Sequence, residues 1–165
     1  MKKTTSDALQ AAYEAIARQG ASCCGPDTGC CGDGRATALA QALGYTPSDL
    51  ASLPEGANLG LSCGHPTALA DLKPGETVVD LGCGAGMDVF VAAAQVGPTG
   101  HVHGVDRVEA MVTRARANTR AFQERTGLDN VTFHHAPIES LPLPDATMDV
   151  VLSNCVLNLS HDQPR

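Results

Sequence analysis

Large aromatic residues and basic residues are scarce in this chain. Its 165 residues include no tryptophan, 2 tyrosines and 3 phenylalanines, so valine, leucine, isoleucine, methionine and alanine must form the core. With 11 lysines and arginines against 18 aspartates and glutamates, the net charge is −7, which argues against a nucleic-acid partner. The sequence has no apolar run of about 18 residues, so no membrane span is expected. We therefore expect a monomeric cytoplasmic protein with one sizeable core.

The 7 cysteines are many for a chain of this length, and their number is odd. The N-terminal residues begin basic and turn polar, so they do not form a secretory signal, and a disulfide framework is not expected. Two adjacent pairs, Cys23-Cys24 and Cys30-Cys31, lie in a glycine-rich loop and lack the C-x-x-C spacing of structural zinc sites. Either this loop is a flexible segment with incidental thiols, or it is a thiol arm that closes over a soft ion.

The most informative stretch is a strand, a glycine loop and a helix in succession. The pattern predicts the strand over residues 77–81 and an alanine- and valine-rich helix over residues 89–96. Glycine occupies every second position of the loop between them: Gly82, Gly84 and Gly86. Met87 stands where a dinucleotide fingerprint would have its last glycine. With Asp80 near the end of the strand, the pattern D-x-G-x-G-x-G resembles the first motif of the S-adenosylmethionine-dependent methyltransferases.

A second acidic residue follows the next predicted strand. Residues 101–105 alternate like a strand and lead to Asp106. An acidic residue about 20 residues beyond such a glycine loop usually binds the hydroxyls of a ribose. Asp106 could also cap the helix predicted over residues 109–122, and the two roles are compatible.

Two further strands are predicted downstream, over residues 130–135 and 148–153. The first is followed by Ile138 and Glu139, where a methyltransferase usually contacts the adenine. The second delivers Asn154 and Cys155 to the carboxyl edge of the sheet, where open α/β sheets bind ligands. These elements predict an α/β fold, with a Rossmann-like methyltransferase sheet of about four strands and an N-terminal helical, cysteine-rich arm.

Three segments are similar to the arsenite (As(III)) S-adenosylmethionine methyltransferases. They are SCCG at residues 22–25, PEGANLGLSCGHP at residues 54–66 and SNCVLNL at residues 153–159. The second and third segments are far more specific than the glycine loop, which many methyltransferases share. The family usually has glycine and asparagine where this chain has Ser62 and His65.

The resemblance implies that Cys63 and Cys155 bind As(III), and that Cys23 or Cys24 supplies a third thiolate. It also implies S-adenosylmethionine as methyl donor, arsenite or its thiol conjugates as substrate, and a thiol reductant such as thioredoxin or glutathione. Trivalent arsenic is soft and prefers thiolate sulfur, and its lone pair can attack the methyl group of a sulfonium. The implied activity is arsenite methylation, which serves arsenic detoxification.

Two side chains near these motifs are given other roles. Cys83, inside the glycine loop, is expected to pack in the core and not to bind arsenic. His65 lies two residues from Cys63 and could favour its thiolate form.

The resemblance divides the chain into an N-terminal arm, residues 1–60, and an S-adenosylmethionine-binding domain, residues 61–165. The sheet has seven strands in the family, so we expect this chain to be an N-terminal fragment of such an enzyme, poorly stable and slow or inactive alone. Its fourth strand is expected at an unpaired edge of the sheet. Two other interpretations stay open: a methyltransferase acting on another small molecule, and a non-catalytic module that binds a soft metal.

Overall fold

The computed structural model describes residues 5–19 and 33–159. Within these ranges, four helices precede the first strand: α1 (Thr5–Gln19), α2 (Asp33–Ala42), α3 (Pro47–Ser52) and α4 (Pro66–Ala70). Strands and helices then alternate through β1 (Thr77–Leu81), α5 (Met87–Val96), β2 (His101–Asp106), α6 (Glu109–Thr126) and β3 (Val131–His135). β4 (Val150–Ser153) and a 3-10 turn (Leu157–Leu159) complete the described part of the chain.

The four strands form one parallel sheet in the order β3-β2-β1-β4. The chain steps from β1 to β2 and then to β3 on one side, and β4 pairs with the other side of β1. The strand order therefore reverses at β1, and open α/β sheets bind ligands at the carboxyl ends of the strands at such a point. Leu81 pairs with Ser153, so the loops that follow β1 and β4 leave the sheet side by side.

The core is built around α5 and the chain's few aromatic rings. Val89, Phe90 and Val96 of α5 are completely buried. The centroid of the Phe90 ring lies 4.9 Å from that of Phe122 on α6 and 5.5 Å from that of Phe133 on β3. Burial of each such side chain contributes about 1.5–3 kcal/mol. The three phenylalanines, which are all that the chain has, therefore fix both helices against the sheet.

The short helix α3 begins at a capping signal in its own sequence. Thr46 is its N-cap, and its side chain accepts from the Asp49 N–H at 3.1 Å while the Asp49 carboxylate accepts from the Thr46 N–H at 2.8 Å. Pro47 occupies the first helical position, where its missing N–H costs no hydrogen bond. This reciprocal capping stabilises a helix of only 6 residues.

Arginines on α6 attach the N-terminal elements to the sheet domain. Arg114 donates to the carbonyl oxygens of Ala17 in α1 and Gly56, each at 3.0 Å. Arg125 donates to the carbonyl oxygen of Leu53 at 3.0 Å. Because a guanidinium carries five donors in a fixed fork, one side chain can hold two segments at once. α1 is thereby held beside the carboxyl ends of the strands.

β4 lies at an edge of the described sheet, as predicted, and the side chain of Val151 is 61% exposed. The strand begins at Val150, two residues later than the apolar pattern suggests. Within the described residues, none of the helices combines the length and the hydrophobicity that crossing a membrane requires.

Candidate active site

A cavity of about 380 Å³ lies at the carboxyl ends of β1, β2 and β4. Most of the residues that the sequence predicts to bind a cofactor line it: Asp80, Gly82, Gly84, Asp106, Ile138, Glu139 and Asn154. Gly86 does not line the cavity; it is the residue that precedes α5. The parallel sheet thus gathers at one edge side chains that are widely separated in sequence.

The glycine loop has the backbone geometry that a close ligand approach requires. Gly82 has φ +77°, and a Cβ added there would lie 2.5 Å from the side chain of Val156. Gly84 has φ +53°, and a Cβ added there would meet nothing within 4 Å. A side chain at position 82 would collide with Val156, so this position requires glycine. Gly84, in contrast, leaves open space beside the cavity.

Asp80 is a buried carboxyl at the base of the cavity. It is 2% exposed, and its Oδ1 has no hydrogen-bond partner within the described residues. Burial raises the pKa of Asp80 well above its usual range, and the nearby carboxylates of Asp88 and Asp106 raise it further. A cationic ligand group would satisfy Oδ1 and offset this cost of burying a negative charge.

Asp106 holds the glycine loop through its carboxylate. Its Oδ2 accepts from the Gly84 N–H at 2.9 Å and its Oδ1 from the Val108 N–H at 2.8 Å. Burial raises the pKa of Asp106, and these two hydrogen bonds oppose the shift. The N-cap of α6 is Val108, without a side-chain cap, so Asp106 does not cap that helix. Each carboxylate oxygen keeps a second acceptor position, and ribose binding remains a prediction.

Cys63 and Cys155, which are 92 residues apart, meet beside this cavity, and Cys155 is part of its lining. Their sulfur atoms are in direct contact as a disulfide pair, with Cα atoms 6.4 Å apart. Both residues are exposed, and Cys155 has φ +60°, a backbone conformation that is uncommon for a non-glycine residue. Cys23 and Cys24 lie outside the described residues.

His65 is expected to lie near Cys63 and to favour its thiolate form. The ring of His65 stacks on Tyr45, with centroids 3.8 Å apart, and its Nε2 is buried without a hydrogen-bond partner among the residues that the structure describes. The Cys63 sulfur contacts the Cys155 sulfur and lies 3.9 Å from the Leu61 carbonyl oxygen. His65 therefore packs against an aromatic ring, and its influence on the Cys63 thiol stays a prediction.

Cys83 has the packing role that the sequence predicts. It is 6% exposed, and its sulfur lies 3.8 Å from the Gly84 carbonyl oxygen. Burial raises the pKa of this thiol, and the charges of Asp80 and Asp106 add to the effect. The thiolate that arsenic would need is thus disfavoured at this position.

Several residues of the site are not predicted by the sequence analysis. Leu9, Gln10 and Tyr13 of α1 line the cavity, although α1 carries only an amphipathic pattern. Tyr45 and Asp88, both buried, contact each other beside the thiol pair. Burial raises the pKa of Asp88, while its hydrogen bonds with Tyr45 and Asn154 lower it. In the part of the chain that the structure describes, no group of three or more metal-ligating side chains is arranged to hold a metal ion.

The chain is similar in sequence to arsenite methyltransferases. An arsenite methyltransferase from Halobacterium salinarum is 44% identical over 168 aligned residues, which cover 98% of this chain and 42% of that protein. An arsenite methyltransferase from Aquipseudomonas alcaligenes is 45% identical over 95 residues, covering 56% of this chain and 28% of that protein. The chain therefore spans less than half the length of these relatives.

The solved structures agree with the sequence relatives. The crystal structure of an arsenic (III) S-adenosylmethionine methyltransferase from Chlamydomonas reinhardtii has a TM-score of 0.57 and 35% sequence identity to this chain. The similarity covers 76% of this chain and 41% of that one. Residues 72–165, which are more than half of the chain, match the family described as a methyltransferase domain. The chain belongs to this methyltransferase family.

Proposed function

We propose that the chain binds S-adenosylmethionine in the cavity and holds trivalent arsenic on Cys63 and Cys155 for methylation. The observation that carries the proposal is the contact between these two thiols beside a cavity at the carboxyl ends of the strands. The names of the relatives, arsenite methyltransferases from two prokaryotes and an alga, support the same substrate.

The residues of the cavity fit S-adenosylmethionine by charge and by shape. This molecule supplies a methyl group on a positively charged sulfur, and it also carries an ammonium group. The unpartnered Asp80 Oδ1 is a suitable acceptor for the ammonium, and the open space beside Gly84 admits a ligand close to the backbone. We assign the ribose hydroxyls to Asp106, and the adenine to the wall formed by Ile138 and Glu139.

The thiol pair suits a soft, three-coordinate ion. Cys63 and Cys155 would lose their protons on binding As(III) and supply two of its sulfur ligands. We assign the third thiolate to Cys23 or Cys24, outside the described residues. Arsenic bound in this way keeps its lone pair, so the chain needs no general base. Its main contribution is to hold the arsenic in line with the methyl group, and such positioning can account for a large share of a bimolecular barrier.

The disulfide has to be reduced before arsenic can bind. We therefore include in the proposal a thiol reductant, such as thioredoxin or glutathione, and a monomeric chain in the reducing cytoplasm. The division into an arm over residues 1–60 and a cofactor-binding domain over residues 61–165 belongs to the same proposal.

The experiment is a calorimetric titration of the chain with sodium arsenite, after reduction with a phosphine that does not itself supply thiols. We expect one arsenite per chain, and a sharp loss of affinity in Cys63→Ser and in Cys155→Ser. Cys83→Ala is the matched control, since it removes a thiol that packs in the core, and it should keep the same stoichiometry.

Two results would decide against this function. If Cys63→Ser and Cys155→Ser bind arsenite as tightly as the parent chain, the thiol pair is not the arsenic site. If the chain binds Zn²⁺ instead and shows no binding of S-adenosylmethionine, it is a soft-metal module and not a methyltransferase.

A further inference from the structure

A buried polar network connects the helix that follows the glycine loop to the thiol pair. Tyr45 is 2% exposed and Asp88, the second residue of α5, is 6% exposed. The Tyr45 hydroxyl donates to Asp88 Oδ1 at 2.5 Å and lies 3.2 Å from the Gly64 carbonyl oxygen. Asn154 Nδ2 donates to Asp88 Oδ2 at 3.3 Å and to the same Gly64 carbonyl at 3.0 Å. Residues from four separate segments thus share one set of hydrogen bonds.

The other end of the Asn154 amide faces both cysteines. Its Oδ1 accepts from the Cys63 N–H at 3.4 Å and lies 3.5 Å from the Cys155 sulfur. Cys63 sits in a segment without helix or strand, between α3 and α4. Contacts with neighbouring segments must therefore define its position, and Asn154 supplies one of them directly.

The acceptors around Asn154 decide which way its amide points. A carboxylate and a carbonyl oxygen can only accept hydrogen bonds, so Asp88 and Gly64 both require the NH₂ end. That requirement leaves the oxygen of Asn154 for the Cys63 N–H. If the amide turned over, its NH₂ group would face an N–H donor and its oxygen would face two acceptors.

We propose that Asp88, held by Tyr45, is a positioning residue that orients Asn154 and thereby sets the geometry of the Cys63-Cys155 pair. This inference rests on the proposed function, because it assigns a role in arsenic binding to residues that do not touch arsenic. Asp88 is also part of the helix that begins at the glycine loop. The same carboxylate therefore links the cofactor loop to the thiols.

The test compares arsenite and S-adenosylmethionine affinities of the phosphine-reduced chain by calorimetry. Asp88→Ala removes the acceptor for Asn154, and we expect arsenite affinity to fall about tenfold, the effect of one lost hydrogen bond. S-adenosylmethionine affinity should fall by a smaller factor, below about threefold. Asp88→Asn keeps an oxygen that can accept from Asn154, so it should recover most of the arsenite affinity. Tyr45→Phe removes only one hydroxyl and should give a loss in the same direction, about threefold.

Asp149→Ala is the structural control. The Asp149 carboxylate also joins distant segments, accepting from the Thr77 N–H at 2.8 Å, but it lies at the opposite end of β4 from Cys155. It should not change arsenite affinity. If Asp149→Ala weakens arsenite binding as much as Asp88→Ala does, the effect is one of general stability and the positioning role is wrong.

The remaining outcomes separate the two proposals. If the parent chain binds no arsenite, the proposed function fails and the positioning role fails with it. If the parent binds arsenite and both Asp88→Ala and Tyr45→Phe bind it equally well, only the positioning role is wrong. If Asp88→Ala does not fold, the arsenite affinity of Tyr45→Phe decides whether the positioning role is right. This variant is suitable because it retains the ring that stacks on His65.

Discussion

The contact between the glycine loop and the segment that follows β4 predicts that a larger residue at position 82 destabilises the fold. This residue has φ +77°, and an added Cβ would lie 2.5 Å from the side chain of Val156. Gly127, the C-cap of α6, has nearly the same backbone angle, φ +73°, but an added Cβ there would meet nothing within 4 Å. Gly82→Ala and Gly127→Ala therefore share the cost of the backbone conformation and differ in the steric contact.

The expected losses of unfolding free energy follow from the backbone cost and the steric cost. An alanine in the left-handed region costs roughly 1–2 kcal/mol, which is all that Gly127→Ala should lose. Crowding a packed site costs about 1–3 kcal/mol more, so Gly82→Ala should lose about 2–5 kcal/mol of unfolding free energy. The reduced entropy of the unfolded chain is common to both variants and cancels in the comparison. For a domain of this size, each kcal/mol lowers Tm by about 2–4 °C.

Urea unfolding of the reduced chain, followed by far-UV circular dichroism, measures both variants. In the Gly82→Ala background, Val156→Gly removes the Cβ and both Cγ atoms that lie within 3 Å of the new methyl group, so it should restore part of the lost stability. The double-mutant cycle should then show a favourable coupling of more than about 0.5 kcal/mol. Equal costs for the two glycine variants, or no rescue by Val156→Gly, would refute the steric argument.

Three further predictions concern buried charges and helix docking. Because the pKa of Asp80 is raised, its ionised form destabilises the folded chain at pH values above the usual pKa of a carboxyl group. Asp80→Asn should therefore raise Tm at pH 7, raise it less at pH 4, and weaken S-adenosylmethionine binding. The pKa of His103 is lowered to about 4, mainly by burial, so stability should fall as pH drops from about 6.5 to 4. The fall in urea midpoint should be smaller in His103→Gln, and an unchanged profile would contradict the assignment. Arg114→Gln should speed tryptic cleavage in α1, whereas Arg120→Gln, on the exposed side of α6, should not.

The sheet could be predicted because its strands are short apolar runs between turns. β1 is predicted at the bounds that the structure gives it, and the strands around it differ by two residues or fewer. Buried parallel strands have this continuous apolar character, and glycine or proline marks their ends. Helix α3 could be predicted for a similar local reason, since Thr46, Pro47 and Asp49 carry the capping signals themselves.

The cavity lining was less predictable. Asp80 and Asp106 follow from their positions near the ends of strands, but α1 reaches the cavity through contacts with α6, such as the bond from Arg114 to the Ala17 carbonyl, 97 residues away. Such contacts between distant segments leave no local pattern. In the same way, the resemblance identified Cys63 and Cys155 as a pair, but not the Asn154 amide that lies between them.

The left-handed backbone of Cys155 explains why its neighbours can serve different partners. Asn154 bonds to the Cys63 segment and to Asp88, while Val156 lies against Gly82 of the cofactor loop. A residue at φ +60° turns the chain sharply, so consecutive side chains need not alternate as they do along β4. One short turn can then fix a thiol between the glycine loop and the loop that carries the second thiol. On the proposed function, methyl transfer requires the arsenic and the methyl carbon in line, so we expect a displacement of about 1 Å in this turn to lower activity with little loss of stability.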